Sequence, residues 1–222
     1  RAILFEPNPH AKFILRKNWV IIDTALSDSS GVKPLYITKR SSKSSFYEPN
    51  FDLINQFSNP TRYKVVEKRN VKTDTLDHQL KVNNIQDIDV IKLDVQGYEL
   101  PILRGSVESL QKAIAVEVEV EFVPMYKGQP LFGEVDKFLR DNNFNLVKFL
   151  NLENWRCVSR EGLIWGDALY LKNLELLDNT KRQRLVLIKK VFFSRFNNLM
   201  IKVNKNNIKK IIRRLIISLK FK

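Results

Sequence analysis

Hydrophobic positions along this chain change period several times, and each change predicts an element. Val90, Ile91 and Leu93 form a short apolar run that reaches Asp94; Gly97 follows, and Leu100, Leu103 and Leu110 then recur three to seven residues apart. That is the pattern of a buried strand, a tight turn and an amphipathic helix. Residues 113–121 alternate strictly, with Val116, Val118 and Val120 on one face and Glu117, Glu119 and Glu121 on the other. Residues 2–5 predict a strand closed by Pro7 and Pro9, and residues 10–17 a helix with Phe13 and Ile14 on its apolar face. Residues 20–26 are rich in β-branched side chains and predict another strand. Residues 33–39, 63–66 and 71–76 read as extended chain, 41–46 as a Ser-rich loop and 76–82 as a helix. A helix over 131–142, strands over 143–150 and 164–171, and a polar loop over 151–162 complete this part. Strands alternating with helices predict an α/β domain with a parallel sheet.

The tail has a different period. Ile208, Ile211, Ile212, Leu215, Ile216 and Leu219 fall at helical spacing, with Lys209, Lys210, Arg213, Arg214 and Lys220 over much of the other face. Charge sharpens this division. Residues 174–222 hold 14 Lys/Arg against two acids, a net +12 of the chain's +14. We therefore expect a domain over residues 1–173 and a basic amphipathic helical tail over 174–222. A helix of that kind suits an anionic membrane surface. Zinc-finger spacing is absent and aromatic interleaving is sparse, which makes nucleic acid the weaker partner. The single Cys157 excludes an internal disulfide and fits a reducing compartment. No apolar run is long enough to span a bilayer, so the expected location is cytoplasmic, with peripheral attachment to the inner membrane face.

Several acids are candidates for chemistry. Asp94 sits where a strand of an open α/β sheet ends, which is where ligands bind. Glu119 lies on the neighbouring strand of acids, where unpaired burial would be costly. That face is either solvated or turned toward a polar cleft or a cation such as Mg²⁺, and one of its acids can act as a general base toward a hydroxyl. Lys92 is a candidate charge partner for these acids or a bystander. His78, on its expected helix, reads as a surface histidine rather than a base.

Lys92, Asp94, Val95, Gln96, Gly97, Tyr98, Glu99, Leu103 and Gly105 together resemble the signature of the FkbM-type, S-adenosylmethionine-dependent methyltransferases. Three further matches fall in order, at residues 5–9, 25–28 and 121–132, and carry the resemblance over about residues 2–172. It implies a doubly wound, Rossmann-like class I methyltransferase sheet. It implies O-methyl transfer from S-adenosylmethionine to a hydroxyl of a sugar, glycan or polyketide-like acceptor. By the same resemblance Glu6 meets the ribose hydroxyls, Asp28 or Ser27 lies near the adenine, and Asp94 belongs to both the cofactor and the catalytic set, with Glu119 the second catalytic acid. The chain departs from the family in one respect. Its glycines, at 31, 97, 105, 128, 133, 162 and 166, form no Gly-x-Gly, and none follows an N-terminal strand. We therefore expect a sheet lacking the family's first strand and Gly-rich loop, either a truncated or a degenerate segment, that binds the cofactor weakly or not at all. The rival readings are a non-catalytic α/β module whose basic tail binds membrane or a partner, and a nucleotide-sugar enzyme on a related fold.

Overall fold

The computed structural model describes residues 2–7, 19–154, 161–194 and 215–218. The helix expected over 10–17, Cys157 and residues 208–214 of the tail lie outside them. Strands β1 (Ala2–Phe5), β2 (Trp19–Ile22), β3 (Ala25–Leu26) and β4 (Gly31–Thr38) come first. The short helix α1 (Phe51–Ile54), strand β5 (Val65–Asp74) and helix α2 (Leu76–Val82) follow. Next are β6 (Val90–Leu93), α3 (Glu99–Arg104), α4 (Val107–Lys112), β7 (Ala115–Glu121) and α5 (Phe132–Asp141). The described chain ends with β8 (Phe144–Asn154), β9 (Leu163–Lys172), α6 (Asn179–Ser194) and β10 (Leu215–Ser218).

Seven strands form the main sheet, in the order β2-β1-β10-β6-β7-β9-β8. The pairs from β2 through β7 are parallel; β9 runs antiparallel to both β7 and β8. A second sheet, β3-β5-β4, was not expected. The strand expected over 20–26 breaks after Ile22, and Ala25–Leu26 leaves the main sheet to pair with β5. The two extended stretches expected around residue 70 are one strand, β5, in a long antiparallel pair with β4.

Between β1 and β6, β10 pairs in parallel register, with Ile216 beside Ile3 on one side and Ile91 on the other. Its residues were to lie on an amphipathic helix; Leu215–Ser218 is a strand instead. The sequence LIIS satisfies both periods, because a short β-branched run is ambiguous between strand and helix. Two unpaired strand edges in the middle of a sheet decide the matter, since each backbone group there needs a partner. Nearer the domain, α6 forms and docks. Its Leu185 and Ile188 are buried with Val90, Ile114, Ala115, Leu169 and Leu171. Arg184 holds Asp89 at 2.9 Å and Asp87 at 3.2 Å.

The strand period sorts side chains between the two faces of the sheet. Ile91, Leu93, Val116, Val118 and Val120 point into the larger core, with Leu100 and Leu103 of α3 and Val135 and Leu139 of α5. Val90 and Ala115 point the other way, under α6. Beyond α6 on that second face, a third apolar cluster of Ile54, Tyr63, Met125, Tyr126 and Ile164 forms a roof over the ends of β6 and β7. Gly105, at the end of α3, is set against the turn after β3: a Cβ there would lie 2.1 Å from the Ser27 carbonyl oxygen, with the Asp28 backbone behind it. Gly105→Ala is expected to cost about 3 kcal/mol through forced backbone movement. A melting temperature lower by roughly 6–10 °C in a thermal unfolding scan is the corresponding result.

Candidate active site

Glu117, Glu119 and Glu121 share the second face of β7, and all three are buried. Each meets a different environment. Glu117 pairs with Lys92, directly opposite on β6. Glu121 and Glu119 continue toward the roof, where their carboxylate oxygens and that of Glu99 lie within 4.8 Å of one another. Glu119 and Asp94 line a cavity of about 760 Å³ between the sheet and the roof.

Gln96 organises this cavity wall. Its side-chain amide donates to Glu119 Oε2 at 2.8 Å and to Asp94 Oδ1 at 3.3 Å. Its carbonyl oxygen Oε1 accepts from Lys43 Nζ at 2.9 Å and from the Tyr126 hydroxyl at 3.3 Å. The backbone bends sharply to permit this: Gln96 has φ 59° and Gly97 φ 88°. A left-handed non-glycine residue costs energy and is kept only where its surroundings hold it. Here Ser45 Oγ donates to the Gln96 carbonyl at 2.7 Å, and Glu99 accepts from the Val95 N–H at 2.7 Å. Gly97 supplies the positive φ this turn requires, and Gln129 lies 3.2 Å from the position of a Cβ there.

Burial pushes the Glu99 carboxyl up to about 8, with the Asp94 charge adding to the effect. Burial also raises Glu119, helped by Asp94 and Glu99, while Lys43 opposes it; Glu121 is raised by burial and by Glu99 and Glu119. Lys43 moves the other way, lowered chiefly by its own burial. The folded protein therefore holds on Glu99 a proton that the unfolded chain releases near 4.5. That contribution is complete below 4.5 and is lost as pH rises through about 8. Stability measured by urea unfolding is expected to fall between pH 5 and pH 8, and Glu99→Gln is expected to flatten part of that slope.

The expected site residues separate into two groups. Asp94 and Glu119 come together through Gln96. Glu6 is buried at the end of β1, and its N–H donates to the Ile22 carbonyl at 3.0 Å. Asp28 lies in the turn after β3, half exposed and paired with Lys33 at 3.0 Å, and does not line the 760 Å³ cavity. Ser27 bonds the Tyr98 hydroxyl at 3.0 Å. Lys92 serves Glu117 rather than Asp94 or Glu119, because register places it opposite the former. His78 is an exposed helix residue whose Nδ1 meets Asp74 at 2.5 Å, as a surface histidine should. Lys43, Arg62, Tyr126 and Gln129 were missed. They reach the site from segments whose sequence shows no periodic signal, although Tyr126 and Gln129 fall within the 121–132 match.

The family model of the methyltransferase FkbM domain matches residues 1–146. The chain belongs to that family. No curated protein and no solved structure matches it. An FkbM methyltransferase domain implies S-adenosylmethionine. β1 and β6 are followed by the acids Glu6 and Asp94, with β10 between the two strands. These two acids would be the ones to meet its nucleoside end, although Glu6 does not line the 760 Å³ cavity. A cation could share the Glu99, Glu119 and Glu121 oxygens.

Proposed function

We propose that this FkbM domain is an S-adenosylmethionine-dependent O-methyltransferase acting on a hydroxyl of a sugar, glycan or polyketide-like acceptor in the 760 Å³ cavity. The observation that carries the reading is the Gln96 amide holding Asp94 and Glu119 together at the cavity wall. The strand order supports a doubly wound class I sheet, with Asp94 at a strand's carboxyl end. S-adenosylmethionine, when bound, supplies a methyl group on a sulfonium that leaves readily. What remains for the protein is to orient the acceptor and take its proton, and orientation is worth much of the rate. Glu119, whose proton affinity is raised by burial, is matched to the second task. Asp94 and Gln96 fix its position. Incubation with methyl-labelled S-adenosylmethionine and a panel of sugars, glycans and polyketide alcohols tests the reading. Label on an acceptor hydroxyl supports it, and absence of label from every acceptor favours the non-catalytic module.

The basic tail belongs to the same proposal. Residues 174–222 carry a net +12 that suits an anionic membrane surface, each Lys or Arg near it adding about 1 kcal/mol. With Leu215–Ser218 in the sheet, that attraction is electrostatic rather than apolar. Co-sedimentation with anionic vesicles, lost at high salt and absent with neutral vesicles, is the expected result. No helix among the described residues is long and apolar enough to cross a membrane.

A further inference from the structure

We propose that the cavity takes an acceptor carrying a carboxylate as well as the hydroxyl, and that Arg40 and Arg62 hold the carboxylate. The hydroxyl end of this inference rests on the methyl-transfer reading above; the anion end stands on separate observations.

Charge in the cavity lining is sorted by origin. Arg40, Lys43 and Arg62 come from the roof, whereas Asp94 and Glu119 come from the ends of the sheet strands. The roof folds so that its two arginines are neighbours: the Arg40 N–H donates to the Arg62 carbonyl at 3.1 Å, and Lys39 N–H to Lys64 at 2.8 Å. Lys43 is committed to Gln96 and to the buried acids. The arginines are less so, although the Arg62 guanidinium shares a side-chain hydrogen bond with Tyr63. Among the described residues neither forms a salt bridge, and Arg62 Nε is buried without a hydrogen-bond partner. A buried donor left unmade is costly, and the Arg62 guanidinium is held 5.2 Å from the centre of the Tyr63 ring. An acceptor oxygen entering the cavity would complete it.

The chemistry of the guanidinium narrows the ligand. Its planar fork matches a planar, two-oxygen acceptor. A neutral sugar would leave Arg62 Nε with a weaker partner. A phosphate would bring a second charge into a cavity whose lining already includes Asp94 and Glu153. One carboxylate brings a single charge and so less of that repulsion. The cavity volume is that of a site for one small molecule, roughly 300–1,000 Å³. An acid sugar or hydroxy acid spans it with the anion under the arginines and a hydroxyl toward Glu119.

Three probes of one ring shape test this on the full chain: D-glucuronate, D-glucose and D-glucose 6-phosphate, titrated by chemical-shift perturbation. Glucuronate is expected to bind about 10-fold more tightly than glucose, the gain of one charge-assisted contact. Arg40→Gln with Arg62→Gln is expected to erase that difference while leaving the melting temperature unchanged or raised. Equal binding of glucuronate and glucose, no binding of either, or discrimination that survives the double substitution overturns the proposal. Tighter binding of the phosphate than of glucuronate overturns the choice of carboxylate. The titration needs no methyl transfer, so an arginine-dependent preference for glucuronate in a chain that transfers no label would sink the enzyme reading and leave the anion site standing.

Discussion

Removal of Leu215–Lys222 is expected to abolish cooperative unfolding of the whole domain. Among the described residues the deletion takes away β10, which is paired on both sides, to β1 and to β6. Without it, two apolar strands face each other across an empty lane, and both expose unpaired backbone groups. Unpaired N–H and C=O groups in a sheet interior are not tolerated, and open apolar edges associate with other chains. Circular dichroism is expected to show a broad, shallow melt, and size-exclusion chromatography is expected to show aggregates. A single substitution should act in the same direction: Ile216→Pro removes a ladder donor from a central strand and is expected to lower the melting temperature. A synthetic peptide of residues 211–222, added to the shortened chain, is expected to restore the sharp melt. A shortened chain that melts as sharply as the parent would show that β10 contributes nothing to the sheet.

Asp94→Asn and Glu119→Gln are expected to lower turnover by about 10²-fold or more, the range lost when a positioned proton acceptor is removed. Their effects on stability are expected to differ in sign from their effects on rate. Glu119 is a buried carboxyl beside Asp94 and Glu99, so a neutral amide of the same shape relieves repulsion and desolvation. The variant should melt at or above the parent temperature while turning over poorly. This combination marks a group kept for chemistry at a cost to the fold. Near-parental turnover in Asp94→Asn with loss in Glu119→Gln would assign the proton to Glu119 alone. Full activity in both would remove the carboxylates from the mechanism.

The sequence made one half of this site legible and hid the other, for a physical reason. β7 announces itself because alternating Val and Glu can only be a strand with two unlike faces. Helix α2 is equally plain: Thr75 caps it by accepting from the His78 N–H at 3.1 Å, and the helix follows at once. What the alternation does not say is whether the Glu face meets water. That depends on Tyr63, Met125 and Tyr126 being brought together over it by contacts between distant segments. Gln96 was legible as a signature position, but its left-handed backbone follows from Ser45 and Glu99 holding it, which no local pattern encodes. The largest misreading, a helix through Leu215–Ser218, arose because the apolar residues of that run serve a four-residue strand as well as a helix stripe. Only the open lane between β1 and β6 distinguishes the two.

That lane also governs the order in which the molecule can be made. Ile3 and its neighbour in the sheet, Ile216, lie far apart in sequence. β6 must likewise wait for Ile216 before its edge is covered. Contacts so remote in sequence slow folding, and apolar strands that wait for their partner remain open to wrong ones. Until β10 emerges, the nascent chain carries two halves of a sheet, β2-β1 and β6-β7-β9-β8, that cannot be joined through it. Closure of the sheet is therefore a late step of folding, and any factor that shelters exposed strands would act in the interval before it.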